Sequence, residues 1–210
     1  MSVNKAYTTE AKINSFLNTT IVVGSADDFI NAAVATIDKI TGRNFIAETV
    51  ARAKVFNGDG GTKLIPDEST VVSKVERGLD AFGNSFETIS EGGSNGYFTS
   101  PGNITDDAGA IISPIKAIIL RSRNWIKGCQ NARITAKWGF STAVPDDISF
   151  VATILAAGMY NFNRQESAGD IKSEKIGSYS ITYLGESSNG GWGAYKQALE
   201  ILQRYIKVAM

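Results

Sequence analysis

The chain has 210 residues, 43% of them hydrophobic, with 21 basic and 21 acidic side chains, one cysteine and no histidine. That length can bury a substantial core, as one large domain or two small ones. Zero formal charge disfavours a surface that grips nucleic acid tightly, which usually carries a basic excess, while a lumen that DNA merely slides through needs none. The lone Cys129 excludes an internal disulfide and lends no support to a secreted scaffold. No apolar run approaches the roughly 20 residues of a bilayer span, and no signal-peptide core opens the chain. The expectation is a soluble protein made and folded in a cytoplasm.

A short helix is expected from Thr9 to Leu17, with Ile13, Phe16 and Leu17 inward. A longer one follows, for which Ser25 and Asp28 resemble a capping box. Phe29, Ala33, Ile37 and Ile40 then form an apolar stripe, and Gly42 is placed to end it in a left-handed turn. From about Phe45 to Phe140 the pattern becomes short, glycine-punctuated strands. These are expected at Glu48–Asn57, Thr70–Arg77, Ser85–Ser90, Gly96–Thr99, Ile115–Arg121 and Asn131–Phe140. Asn57–Gly61 and Asp80–Asn84 supply turn chemistry between them.

Helical character returns at Pro145, where Asp146 and Asp147 complement the helix dipole. Ile148, Ala152, Leu155, Met159 and Phe162 make a stripe, and small residues elsewhere would let a second helix approach closely. The last helix, Trp192 to about Val208, is apolar on two sides. Tyr195, Leu199, Leu202 and Ile206 form one stripe; Ala198, Ile201, Tyr205 and Val208 form the other. A helix of that kind must be sandwiched, within the fold or between subunits. Trp192, Tyr195, Ala198, Ile201, Leu202 and Tyr205 are therefore candidate interface residues.

Between these helices lies Lys175–Leu184, a strand-like run with Tyr179, Ile181 and Tyr183 on one face. Polar Gln165–Glu174 precedes it and glycine-rich Gly185–Gly193 follows. A lone strand must find a sheet edge, in its own chain or in another by strand addition. Ile176, Gly177, Tyr179, Ile181 and Tyr183 are the candidate contact residues of this arm.

Catalytic chemistry finds little support. Without histidine no Ser-His-Asp or Cys-His site can be built, and zinc lacks its ligands. The carboxylate pairs Asp27/Asp28 and Asp146/Asp147 have a sufficient role at helix starts, and Asp106/Asp107 reads as a turn. Calcium at Asp106/Asp107 or at Asn57/Asp59 is the weaker alternative to turn structure. Gly58–Gly61 lacks the lysine and following helix of a phosphate cradle. No enzyme and no cofactor are expected. Arg121, Arg123, Trp125 and Lys127 form a candidate DNA or partner loop, with Trp125 stacking on a base. The competing reading is a tryptophan that plugs a hydrophobic hole.

Several stretches in order carry a resemblance: Ile37–Phe45, Val55–Gly60, Trp125–Gly128, Ile134–Phe140, Val144–Ile148 and Ser173–Ile181. Together they resemble the head–tail connector (adaptor) proteins of tailed bacteriophages, the gp6-like group. Ile126 departs from the proline expected in a Trp-Pro-x-Gly turn, and the β block is longer than in the smaller members. The resemblance implies a ring of about twelve subunits beneath the portal, located in the virion neck and assembled in the host cytoplasm. Such a ring would extend the DNA channel and seat the next neck or tail protein, with no membrane partner. The alternatives are a tail-completion or stopper protein and, from another class, a single-stranded nucleic-acid-binding accessory protein. The expected architecture is α+β: a helical core from residues 1–45 and 141–210, a β-rich insertion at 46–140, and an extended arm before the last helix.

Overall fold

The computed structural model describes residues 6–21, 24–102, 104–105, 107, 109, 111–166, 173–176, 179–182 and 191–207. Helices α1 (Glu10–Leu17) and α2 (Asp27–Thr41) come first. Strands β1 (Arg52–Phe56), β2 (Lys63–Leu64), β3 (Ser69–Gly78), β4 (Phe86–Ile89) and β5 (Tyr97–Ser100) follow. Then come β6 (Ile104–Thr105), β7 (Ile111–Ser113), β8 (Ala117–Leu120) and β9 (Ala132–Trp138). Last are α3 (Asp146–Glu166), β10 (Ser173–Ile176), β11 (Tyr179–Thr182) and α4 (Gly191–Tyr205). The chain divides into two compact units, Met1–Arg43 with Asp146–Met210, and Asn44–Pro145. One is built on helices and the other on antiparallel strands, so the protein is α+β.

In the helical unit α3 packs against α1, α2 and α4. The sequence pattern predicts one stripe on this helix; instead every residue from Val151 to Ala157 is buried. A helix covered on all sides needs apolar or small residues all round, which Ala152, Thr153, Ala156 and Ala157 supply. Its buried polar side chains are matched: Thr8 and Thr153 hydroxyls meet at 2.6 Å, and Lys12 Nζ donates to Ser149 Oγ at 2.7 Å.

The start of α2 differs from the capping box predicted at Ser25. Ala26 is the N-cap and contributes no side-chain bond. Glu10, at the head of α1, supplies the acceptor instead: its Oε1 takes the backbone N–H of Gly24 at 2.8 Å and of Ala26 at 3.2 Å. Gly42 does close α2 in the left-handed region, at φ 64°. The buried face of α2 is Ile30, Ala33, Val34 and Ile37; Ile40 and, on α1, Phe16 are exposed, against expectation. Only Ile13 of the three α1 residues expected inward is buried.

In the strand unit a four-stranded sheet, β1-β9-β3-β4, and a three-stranded sheet, β2-β8-β5, share one core; β6 and β7 pair separately. Strand β9 alternates regularly, with Ala132, Ile134, Ala136 and Trp138 buried. They cluster with Val75 and Ile89 of the same sheet and with Leu64, Tyr97, Ile118 and Leu120 of the other. Strand β3 carries two bulges, between Ser69 and Val71 and between Val72 and Lys74, which let a long strand bend around the core. All the strands expected here appear: β1, β4, β8 and β9 with trimmed ends, β5 shifted by one residue, and β3 longer by one residue at each end. The additional strands β2, β6 and β7 are too short to show a period in sequence.

Candidate interaction surfaces

The basic-aromatic loop resolves first. Trp125 is 1% exposed and belongs to the strand unit's core; its backbone N–H donates to Gly61 O at 2.7 Å. The indole therefore cannot stack on a base, and this corrects the reading that grouped it with a nucleic-acid surface. Arg123 is also committed, donating to Glu87 Oε2 at 2.8 Å, while Arg77 holds Glu87 Oε1 at 2.7 Å and Asn124 O at 2.6 Å. The hydrogen bonds from Arg123 and Arg77 keep the Glu87 carboxyl below its usual range. Arg121 lies over the Phe98 ring at 5.7 Å, and Lys127 is exposed. The loop is a structural clamp across the unit.

Neighbouring loops are welded to it around Asn131, which is buried. Its Oδ1 accepts from Gly58 N at 2.8 Å and its Nδ2 donates to Ile126 O at 2.7 Å. A Cβ at Gly58 would lie 2.1 Å from Ile126 O, and one at Gly128 would lie 2.1 Å from Ala81 O. The loops meet this closely only because glycine stands at both positions. Asn57 Oδ1 accepts from Gln130 N and Asp59 Oδ1 from Gly61 N, each at 2.8 Å, so both serve the turn. From this end Phe82 projects, 78% exposed. Asp80 Oδ1 accepts from Phe82 N at 2.8 Å and Asn84 N at 3.3 Å, and the bond from Phe82 N chiefly draws the Asp80 carboxyl below its normal range. Phe82 was not anticipated, because a single aromatic in a turn has no periodic signature.

On α4 the two expected stripes are redistributed. Ala198 and Leu202 are both buried, at i and i+4, and face the helical unit's interior; α4 packs on α3 and α2. Leu202 thus leaves the stripe with Tyr195, Leu199 and Ile206, which are 47%, 38% and 45% exposed. Ile201 and Tyr205 are half-buried. Tyr205 is tied within its own chain, its hydroxyl donating to Asp147 Oδ2 at 2.8 Å while its carbonyl accepts from Arg43 Nε at 2.5 Å. Burial, reinforced by the bond to Asp147, pushes the Tyr205 hydroxyl up to about 12. Ala198 and Leu202 are therefore buried within the subunit, a correction to their place among interface candidates. Trp192 lies in α4, with its side chain outside those described.

The single strand predicted over Lys175–Leu184 is a hairpin. Strand β10 pairs with β11 antiparallel, Ile176 opposite Tyr179 and Glu174 opposite Ile181. The partner of Tyr179–Thr182 is thus the segment just before it, whose polar composition hid its strand. Gly177 and Tyr183 lie outside the described residues.

One further feature had no sequence signal. Strand β4 is an outer strand of the four-stranded sheet, and an open groove lined by Glu87, Thr88, Ile89, Asn95, Gly96 and Arg123 runs beside it. Just past β4, Ser90 and Gly92 also line the groove, and there Tyr97 N donates to Ser90 O at 3.1 Å and Gly92 N to Tyr97 O at 2.9 Å. No group of acidic or thiol side chains suited to a metal ion occurs among the described residues, and none of their helices is long and apolar enough to cross a membrane.

A solved structure of similar fold is described as the neck of an empty GTA (gene transfer agent, phage-like) particle, computed with C6 symmetry. The likeness has a TM-score of 0.51 at 12% sequence identity and spans 95% of this chain and 89% of that one. No protein-family model matches the sequence, and no curated protein does.

Proposed function

We propose that the protein is a structural component of a phage-like virion neck, a head–tail adaptor that assembles as a ring under the portal. The observation that carries this reading is the neck-chain likeness, which extends over both units rather than one. The exposed apolar side chains of Tyr195 and Leu199 on α4 and of Ile206 just past its end support it, since apolar side chains at this spacing suit contact with a neighbouring subunit. Ring closure needs a head-to-tail interface, and the C6 symmetry of the similar particle fits a ring of six or of about twelve copies. Balanced charge suits a channel that passes DNA without holding it. The role is structural rather than catalytic, with the portal, the next neck or tail protein and transiting DNA as partners. Its place is the virion neck, after assembly in the host cytoplasm.

Native mass spectrometry of the purified chain, alone and mixed with portal, tests this. A ring that binds portal stoichiometrically is expected. A ring that binds tail-side protein and ignores portal would move the chain to a stopper or tail-completion role. A monomer indifferent to both would end the neck reading. The nucleic-acid alternative loses its stacking residue with the burial of Trp125.

A further inference from the structure

We propose that the groove along β4 is a strand-acceptor site, and that its occupant is β11 of a second copy of this chain. The inference rests on the ring reading above and names the contact that would stitch the ring.

The acceptor is chosen by elimination among the edges of the two principal sheets. A strand paired on one side presents alternate N–H and C=O groups on the other. Strand β2 is two residues long, too short to template a partner. Strand β5 is already engaged through Tyr97, by its bonds with Ser90 and Gly92. Strand β1 is blunted by cations: Arg52 stands 3.7 Å from Glu48, and Lys54 pairs with Asp67 at 2.7 Å. Lysine and arginine on an edge are the usual defence against strand addition. Strand β4 has no proline and no cation, and its one charge, Glu87, is neutralised by Arg77 and Arg123. Beyond the ladder to β3, no backbone hydrogen bond engages Phe86–Ile89 among the described residues. The groove beside it is open to solvent and is bordered on its far side by Asn95, Gly96 and Arg123.

The donor is chosen by the converse argument. Among the described residues, strands β10 and β11 form a sheet of only two, and an isolated two-stranded hairpin is marginal in water. Joining a third strand would stabilise it. Both β11 and β4 span four residues, so one could cover the other without overhang. A head-to-tail ring requires two different, complementary surfaces on each chain. The outer edge of β11 in one unit and the outer edge of β4 in the other supply such a pair.

Single-cysteine variants test the contact, made in a Cys129→Ser background so that no other thiol is present. Thr88→Cys protein is mixed with, in turn, Tyr179→Cys, Ser180→Cys, Ile181→Cys and Thr182→Cys proteins, under mild oxidation. Because the two thiols reside on different molecules, any disulfide between them joins two copies. Paired strands bring Cα atoms within disulfide reach, so at least one mixture should shift to twice the chain mass without reductant. On the unaltered chain, amide exchange at Glu87–Ile89 should slow at least about tenfold between dilute monomer and assembled ring. A ring that forms with no cross-link and no slowing overturns this inference and leaves the ring reading standing. Slowing that appears only when portal is added makes portal the occupant and also overturns it. If no ring forms at all, both readings fall.

Discussion

At the residue scale, two carboxylates do work that their sequence neighbours do not announce. Glu10 accepts the N–H groups of Gly24 and Ala26 ahead of α2, although its own helix is a different one. Glu10→Ala should cost about 1 kcal/mol in chemical denaturation, and Glu10→Gln distinctly less because an acceptor oxygen remains. Equal losses for the two variants would assign the effect to helix α1 rather than to the cap. Glu76 is buried on β3 and takes both Arg133 Nε at 2.7 Å and Arg133 Nη2 at 2.8 Å, with Lys74 at 2.9 Å. The bidentate bond to Arg133 lowers its carboxyl from 4.5 to about 2. A depressed carboxylate stabilises the fold above its unfolded value and loses that contribution as pH falls through the folded one. Stability should therefore decline between pH 4.5 and about 2, by about 1–2 kcal/mol once the exposure of Lys74 and Arg133 is discounted. Glu76→Gln should flatten that part of the stability–pH curve; an unchanged slope would remove Glu76 as its cause.

At the element scale, α4 separates folding from assembly. Leu202 is buried and Leu199 is exposed three residues earlier, so the same substitution should have opposite consequences. Leu202→Asp buries an unpaired charge and should cost about 4 kcal/mol or more, with loss of helical circular dichroism. Leu199→Asp should stay within about 0.5 kcal/mol of the parent yet shift the native mass toward monomer. A Leu199→Asp chain that still forms rings would clear the exposed stripe of any part in assembly. The amphipathic pattern of α4 was legible in sequence, but which line of residues faces inward was not. Both lines are apolar, and periodicity cannot rank two apolar faces. The hairpin failed for a related reason: Ser173–Ile176 is polar in three of its four positions, and only pairing makes it a strand.

At the scale of the whole molecule, association should be apolar in character, because formal charge is zero and the large hydrophobics Tyr195 and Leu199 of α4, with Ile206 just past it, are exposed. Ring mass should then survive about 1 M salt, where the screening length falls to roughly 3 Å; dissociation there would point to ion pairs instead. What the sequence determined alone was the class and order of elements. Helix caps such as Gly42, the alternation of Ala132–Trp138 and the small residues of α3 are local signals, read from neighbours along the chain. It also bounded the chemistry, since a chain without histidine carries no imidazole base wherever it folds. Tertiary structure decided which side chains are free to meet a partner. Trp125 disappeared into a core assembled from two sheets, Tyr205 was claimed by Asp147, and Glu10 became a cap for another helix. The edge of β4 became an accessible groove because the sheet ends there. Each outcome depends on contacts between residues far apart in sequence, and such contacts exist only once the chain has folded.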